Sequence, residues 1–143
     1  MPTFTGTIYD SGEKRISITT VSNTGLAVSR ALLDPAATAN RQVFLSDFVS
    51  SAKEILAELE KQLNKKFIIE YKDSVPVIAK LKGEFEAGDW SKSLDLVALS
   101  FVTDNELKLD FESSGVEVWN KKLGLPEVTL EQVVKDAIKA HGL

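Results

Sequence analysis

One histidine, no cysteine and a scatter of carboxylates bound the chemistry open to this sequence. His141 sits beside the C-terminus in His141-Gly142-Leu143, where the dipole of a helix ending there favours a cation. We read it as an end-of-helix residue ahead of a catalyst. One histidine without any cysteine argues against a zinc site, and thiolate nucleophiles and disulfides are excluded outright. Two acidic groupings stand out: Glu84, Glu86 and Asp89 ahead of Trp90, and Asp104 with Glu106. Carboxylates divide acid and base roles when their surroundings push their pKa values apart. A solvated helix end uses the same residues, and neither grouping carries the D-x-D-x-D-G of a calcium loop. Ser50 and Ser51 are hydroxyls without a surrounding G-x-S-x-G, and Ser51 has a capping role. Catalytic residues therefore stay unassigned. Tyr71, Trp90, Phe101 and Trp119 are the candidates to line a pocket for a small apolar or aromatic metabolite, with core packing as the competing use. Tyr9 lies at a turn and suits solvent as well as a ligand.

The elements that must position these residues are legible from local pattern. Phe4 to Tyr9 is rich in strand formers, Asp10-Ser11-Gly12 is turn chemistry, and Arg15 to Thr20 reads as a second strand, so a hairpin is expected. A helix follows, capped by Ser22 or Asn23. Its segment from Gly25 to Leu33 is nearly continuous in apolar residues and is expected to be buried, and Asp34-Pro35 ends it. Arg41 to Asp47 reads as a short strand covered on both faces. Ser51 and Glu54 form a capping box for a helix that places Ile55, Leu56, Leu59 and Leu63 on one face and closes at Asn64. Phe67 to Tyr71 is a further strand. Ser74 to Phe85 and Ser91 to Val102 read as helices, the second with Leu94, Val97, Ala98 and Phe101 as its stripe. Leu107 to Phe111 reads as a short strand or an extended link. Trp119, Leu123 and Leu125 anchor a connector, and Thr129 with Gln132 opens a last helix through a capping box. Strands alternating with helices give an α/β domain with a small mixed, partly parallel sheet and flanking helices.

The 143 residues fit one domain, spanning 1–143, and the composition is that of an ordinary globular protein. The 17 basic residues are outnumbered by 21 acidic ones and form no run longer than two, so no nucleic-acid partner is expected. No window approaches the roughly 20 apolar residues needed to span a bilayer, and Met1-Pro2-Thr3-Phe4-Thr5-Gly6 lacks the basic start and apolar stretch of a leader. These features give the expectation of a cytoplasmic protein without a membrane partner.

In order, these segments resemble the carboxy-terminal, substrate-binding half of NmrA-like, isoflavone-reductase-like proteins. The resemblance starts at Tyr9-Asp10-Ser11-Gly12-Glu13-Lys14 and runs through Ser17-Ile18-Thr19-Thr20 to Thr24-Gly25-Leu26-Ala27-Val28 and Leu32-Leu33-Asp34-Pro35. It continues in Asn40-Arg41-Gln42-Val43-Phe44-Leu45, Ser51-Ala52-Lys53-Glu54-Ile55-Leu56 and Asn64-Lys65-Lys66-Phe67, and closes with Leu123-Gly124-Leu125-Pro126. It implies kinship with NAD(P)H-dependent reductases, or with regulators that sense the cofactor. In such proteins the glycine-rich fingerprint and the catalytic lysine lie in the amino-terminal half. No G-x-G-x-x-G occurs in this chain. No cofactor is therefore expected for this chain alone, and NADPH is implied only for full-length relatives.

Three readings follow. The first is a partial NmrA-like oxidoreductase that supplies substrate-pocket walls. The second is a non-catalytic binding or regulatory module that pairs with itself or a partner protein through the face left by the missing half. The third is a cofactor-independent isomerase or cyclase on an apolar metabolite, with Glu84, Glu86 and Asp104 as its acids or bases.

Overall fold

The computed structural model describes residues 4–143; Met1 to Thr3, part of the segment read for leader character, lie outside the described residues. The elements run β1 (Thr5–Tyr9), β2 (Ile16–Ile18), α1 (Val21–Leu33), α2 (Pro35–Thr38), β3 (Phe48–Ser50), α3 (Ala52–Leu63), β4 (Ile68–Lys72), α4 (Ser74–Glu86), α5 (Lys92–Val102) and α6 (Leu130–His141). This is a small mixed α/β chain whose element order follows the alternation read from the sequence. It forms two compact units, each made of two stretches of chain. Unit 1 takes the chain up to Lys14 and then Ser51–Leu107; unit 2 takes Arg15–Ser50 and Lys108–Leu143.

In unit 1, β1 pairs with β4 in parallel, from Thr5 opposite Ile68 to Tyr9 opposite Lys72. The expected hairpin is therefore not formed. Asp10-Ser11-Gly12 does turn the chain, but β2 leaves to pair with β3 in unit 2. Parallel pairing satisfies the backbone of β1 through a distant strand, and a local turn signal says nothing of that choice. Gly12 is fixed for two reasons: its φ is +66°, and an added Cβ would lie 2.5 Å from Ile8 Cγ2. The capping box forms as read, with Ser51 accepting from the Glu54 amide and Glu54 accepting from the Ser51 amide, and Asn64 closes α3 in the left-handed region at φ 49°.

In unit 2, β2 runs antiparallel to β3, from Ile16 opposite Ser50 to Ile18 opposite Phe48. The sheet is thus two separate two-stranded sheets among the described residues. Arg41 to Asp47 is not a strand. Phe44 makes one isolated parallel bridge to Val118, and the strand lies just beyond, at Phe48–Ser50. Asp47 uses its side chain to hold α1, which ends the apolar run before pairing begins. Leu107 to Phe111 forms no strand: its first four residues carry no regular structure, Phe111 opens a turn, and the Leu109 carbonyl accepts a hydrogen bond from the Ser17 amide at 2.8 Å. Helix α1 is capped two or three residues before the expected Ser22 or Asn23, by Thr20, whose side chain accepts from the Asn23 amide. Its apolar run is not buried. Only Asn23 and Ala27 of α1 are enclosed, while Val21, Val28, Leu32 and Leu33 face outward. Trp119 and Leu125 anchor the connector as expected, and both are buried. At α6 only half of the capping box exists: Thr129 accepts from the Gln132 amide, but the Gln132 side chain turns to Asp136 instead.

Candidate functional site

The residues singled out from sequence fall into both units. Tyr71 on β4, Trp90 ahead of α5 and Phe101 on α5 all belong to unit 1 and are all exposed. Trp90 packs edge-on against Phe85, with ring centroids 4.9 Å apart. Trp119 belongs to unit 2, is 6% exposed, and has the Lys122 ammonium over its ring. It lines a cavity of about 320 Å³ together with Asp34, Thr38, Arg41 and Leu123. The first acidic grouping is spread over ion pairs: Glu84 faces Lys80, Glu86 faces Lys82 and Asp89 faces Lys92, each at 3.8 Å. Hydrogen bonds from the Ser91 side chain, against a smaller cost of burial, hold the Asp89 carboxyl below its ordinary range. His141 stands in the last turn of α6 ahead of Gly142, which caps the helix in the left-handed region. No grouping of three or more acidic or histidine side chains suited to a metal occurs among the described residues.

The turn after β1 is where a βα unit would hold a pyrophosphate on free backbone amides. Here those amides are all engaged. Asp10 donates to the Lys72 carbonyl, Ser11 to the Asp104 carboxylate at 3.1 Å, Gly12 to the Tyr9 carbonyl and Glu13 to the Ser11 hydroxyl. Two carboxylates take up donors in and around this turn. Asp104 accepts from the Ser11 amide and hydroxyl, and Asp10 accepts from the Ser74 amide at 2.8 Å and the Asp104 amide at 3.0 Å. Burial opposes the charge on Asp10, but hydrogen bonds from Ser74 and from the Asp104 backbone outweigh it and hold its carboxyl below the ordinary range. The turn's role is to tie the starts of α3 and α4 to the end of β1, with the Lys53 amide on the Gly12 carbonyl at 3.1 Å.

Unit 2 holds an open site that sequence reading missed. Asp47, between Phe44 and β3, is half-buried, and its carboxylate is surrounded by neutral donors. Thr20 donates through its amide and its hydroxyl, each at 2.9 Å, to one oxygen; Asn23 and Asn120 donate through their side-chain amides at 2.8 and 2.9 Å to the other. Asn23 also donates to the Pro126 carbonyl, and Asn120 accepts from the Ser46 amide. Asp47 thereby ties the start of α1 to the segment between Trp119 and Pro126. Beside it opens a cleft of about 550 Å³, lined by Ser46, Asp47, Asn120, Leu125, Pro126 and Thr129, with Glu112, Lys121 and Glu127 also on its wall. Ser46 is 6% exposed, and its hydroxyl is enclosed without a hydrogen-bond partner. Buried hydroxyls are rarely left so, because the lost hydration is costly. The only local signal in the sequence was Ser46-Asp47 following an apolar run. The partners, Asn23 and Asn120, lie far away in the chain.

No protein-family profile matches the chain. It is 24% identical over 132 residues to the oxidoreductase poxI of Penicillium oxalicum, an alignment covering 92% of this chain and 42% of poxI. It is 35% identical over 68 residues to the oxidoreductase aprR of Aspergillus flavus, covering 48% of this chain and 23% of aprR. The chain thus spans less than half the length of the relatives it matches, and nearly all of it is similar to part of a fungal protein named as an oxidoreductase.

Proposed function

We propose that this chain is the substrate-side portion of an NmrA-like, isoflavone-reductase-like oxidoreductase, acting with a nicotinamide-binding half that lies outside residues 1–143. The observation that carries the reading is the alignment to poxI, which takes in 92% of this chain and 42% of the relative. Two features of the fold support it. The turn after β1, the place for a pyrophosphate in a βα unit, is closed by Asp10 and Asp104. The outer faces of α1 and α5 are apolar where a solvent-facing helix carries charge: Val21, Val28, Leu32 and Leu33 on one, Leu94, Val97, Phe101 and Val102 on the other. These faces suit packing against the rest of an enzyme, as a partner protein or a longer chain provides. The residues of this chain then bind and orient substrate, and hydride transfer takes place on groups it does not hold.

The test is a calorimetric titration of residues 1–143 with NADPH. No heat of binding up to millimolar cofactor is the expected result. A dissociation constant in the micromolar range for this chain alone would overturn the reading, since the cofactor site would then lie within it.

A further inference from the structure

We infer that the cleft beside Asp47 binds a compact, uncharged or cationic organic molecule that presents a hydroxyl or amine to Ser46, and that it refuses anions. The inference rests on the substrate-side reading above and adds to it the chemical class of the ligand.

Charge decides the class. Asp47 receives hydrogen bonds from Thr20, Asn23 and Asn120, donors that are all neutral and bring no positive charge beside the carboxylate. Glu112 and Glu127 line the same cleft, and Lys121 is the one cation among the lining residues. Three carboxylates against one ammonium leave the cleft acidic. A carboxylate or phosphate ligand meets like charge there, while a neutral donor or an ammonium group does not.

Size and surface decide the rest. About 550 Å³ holds a molecule of one or two rings, and Val118, Leu125, Pro126 and Val128 supply an apolar wall for its body. Ser46 supplies the unused polar group. Its backbone amide is fixed on Asn120, so the serine is anchored, while its hydroxyl is bonded to nothing. Rotation about Cα–Cβ moves the hydroxyl oxygen, and rotation about Cβ–Oγ re-aims its hydrogen. A ligand hydroxyl seated against this wall satisfies it, and the enclosed oxygen then gains a bond it lacks in the free protein.

The experiment is an amide NMR titration of the full chain with three probes of one ring size: phenol, benzylamine as its cation, and benzoate. Phenol and benzylammonium are expected to shift the amides of Ser46, Asn120, Lys121 and Thr129 with millimolar constants, and benzoate to bind at least tenfold more weakly. Ser46→Ala should weaken phenol about tenfold with the thermal midpoint unchanged. Glu112→Gln with Glu127→Gln, both exposed, should narrow the gap between benzoate and phenol. Equal or tighter binding of benzoate, shifts confined to other residues, or no response to any probe would overturn the assignment. NADPH is titrated into the same sample as a fourth arm. Shifts with NADPH defeat the substrate-side reading itself, whereas a silent NADPH arm with failed ring probes defeats only the ligand class.

Discussion

Helices α1 and α6 both belong to unit 2 and are nearly equal in length, 13 and 12 residues, yet they treat water in opposite ways. Helix α6 turns Leu130, Val133, Val134 and Ile138 inward and sets Glu131, Lys135, Asp136, Lys139 and His141 outward. Helix α1 encloses Asn23 and Ala27 and turns Val21, Val28, Leu32 and Leu33 outward, with Val21 91% and Leu33 81% exposed. Its one charged side chain, Arg30, is occupied with the carbonyls of Leu123 and Gly124. Helix α6 is finished by its own unit. Helix α1 is held at its start by polar bonds to Asp47 and leaves its apolar stripe for something else to cover. The same contrast separates α3 from α5 in unit 1, where α3 carries Lys53, Glu58, Glu60 and Lys61 while α5 exposes Leu94, Val97 and Phe101.

The contrast can be attacked in order of effect. Val134→Asp places an unpaired charge on the enclosed side of α6 and should cost about 4 kcal/mol or more, read as loss of the cooperative urea transition. Asp47→Ala strips Thr20, Asn23 and Asn120 of their acceptor and should cost about 2–3 kcal/mol, with hydrogen exchange rising first in α1. Thr129→Ala removes the α6 cap and should cost about 1 kcal/mol in the same denaturation assay. Val28→Lys combined with Leu32→Glu should change stability by no more than about 0.5 kcal/mol, because these side chains touch little of their own unit. A loss of 2 kcal/mol or more there would show that α1 is packed after all and would end the comparison.

The smallest effect is acid-linked and lies in unit 1. Glu60 is held below its ordinary range by hydrogen bonds from Lys66 and from the Phe67 amide, and Glu58 by hydrogen bonds from Gln62 and Lys61. A carboxyl with a depressed folded pKa stabilises the fold above its unfolded value, here 4.5 for both, and that contribution fades as pH falls through the folded pKa. Circular dichroism between pH 5 and 2 should therefore show Glu60→Gln unfolding with a shallower acid dependence than the parent chain. Identical acid profiles would remove Glu60 from the account.

Much of the fold was legible because its signals are local. The Ser51–Glu54 box, Asn64 in the left-handed region, Gly12 at the turn and Pro35 past the end of α1 each act within a few residues. What was illegible depended on distant chain. Nothing near β1 says that it pairs with β4 and not with β2. The apolar run of α1 suggests burial from sequence because pattern reports which face is apolar and not whether this chain supplies the cover. The candidate site suffered most. Asp47 draws on Thr20, Asn23 and Asn120, and the enclosed Ser46 hydroxyl is defined by a bond that is missing, which no residue spacing announces. The acidic groupings, conspicuous in sequence, turned out to be ion pairs and a turn fastener.

The interleaving of the two units also governs the order in which the protein can be made. Each unit needs two separated stretches, so during synthesis β1 emerges and waits, unpaired, until Ile68–Lys72 follows it. The Asp47 cluster waits longer still, since Asn120 and the Pro126 carbonyl follow it far later in the chain. Contacts so far apart in sequence close large loops before they return any stability, which slows folding and prolongs exposure of apolar segments. A ribosome paused once Leu107 has cleared its exit tunnel would present a nascent chain able to complete unit 1 while the β2, α1 and β3 segments remain strung between its parts, open to chaperones and proteases.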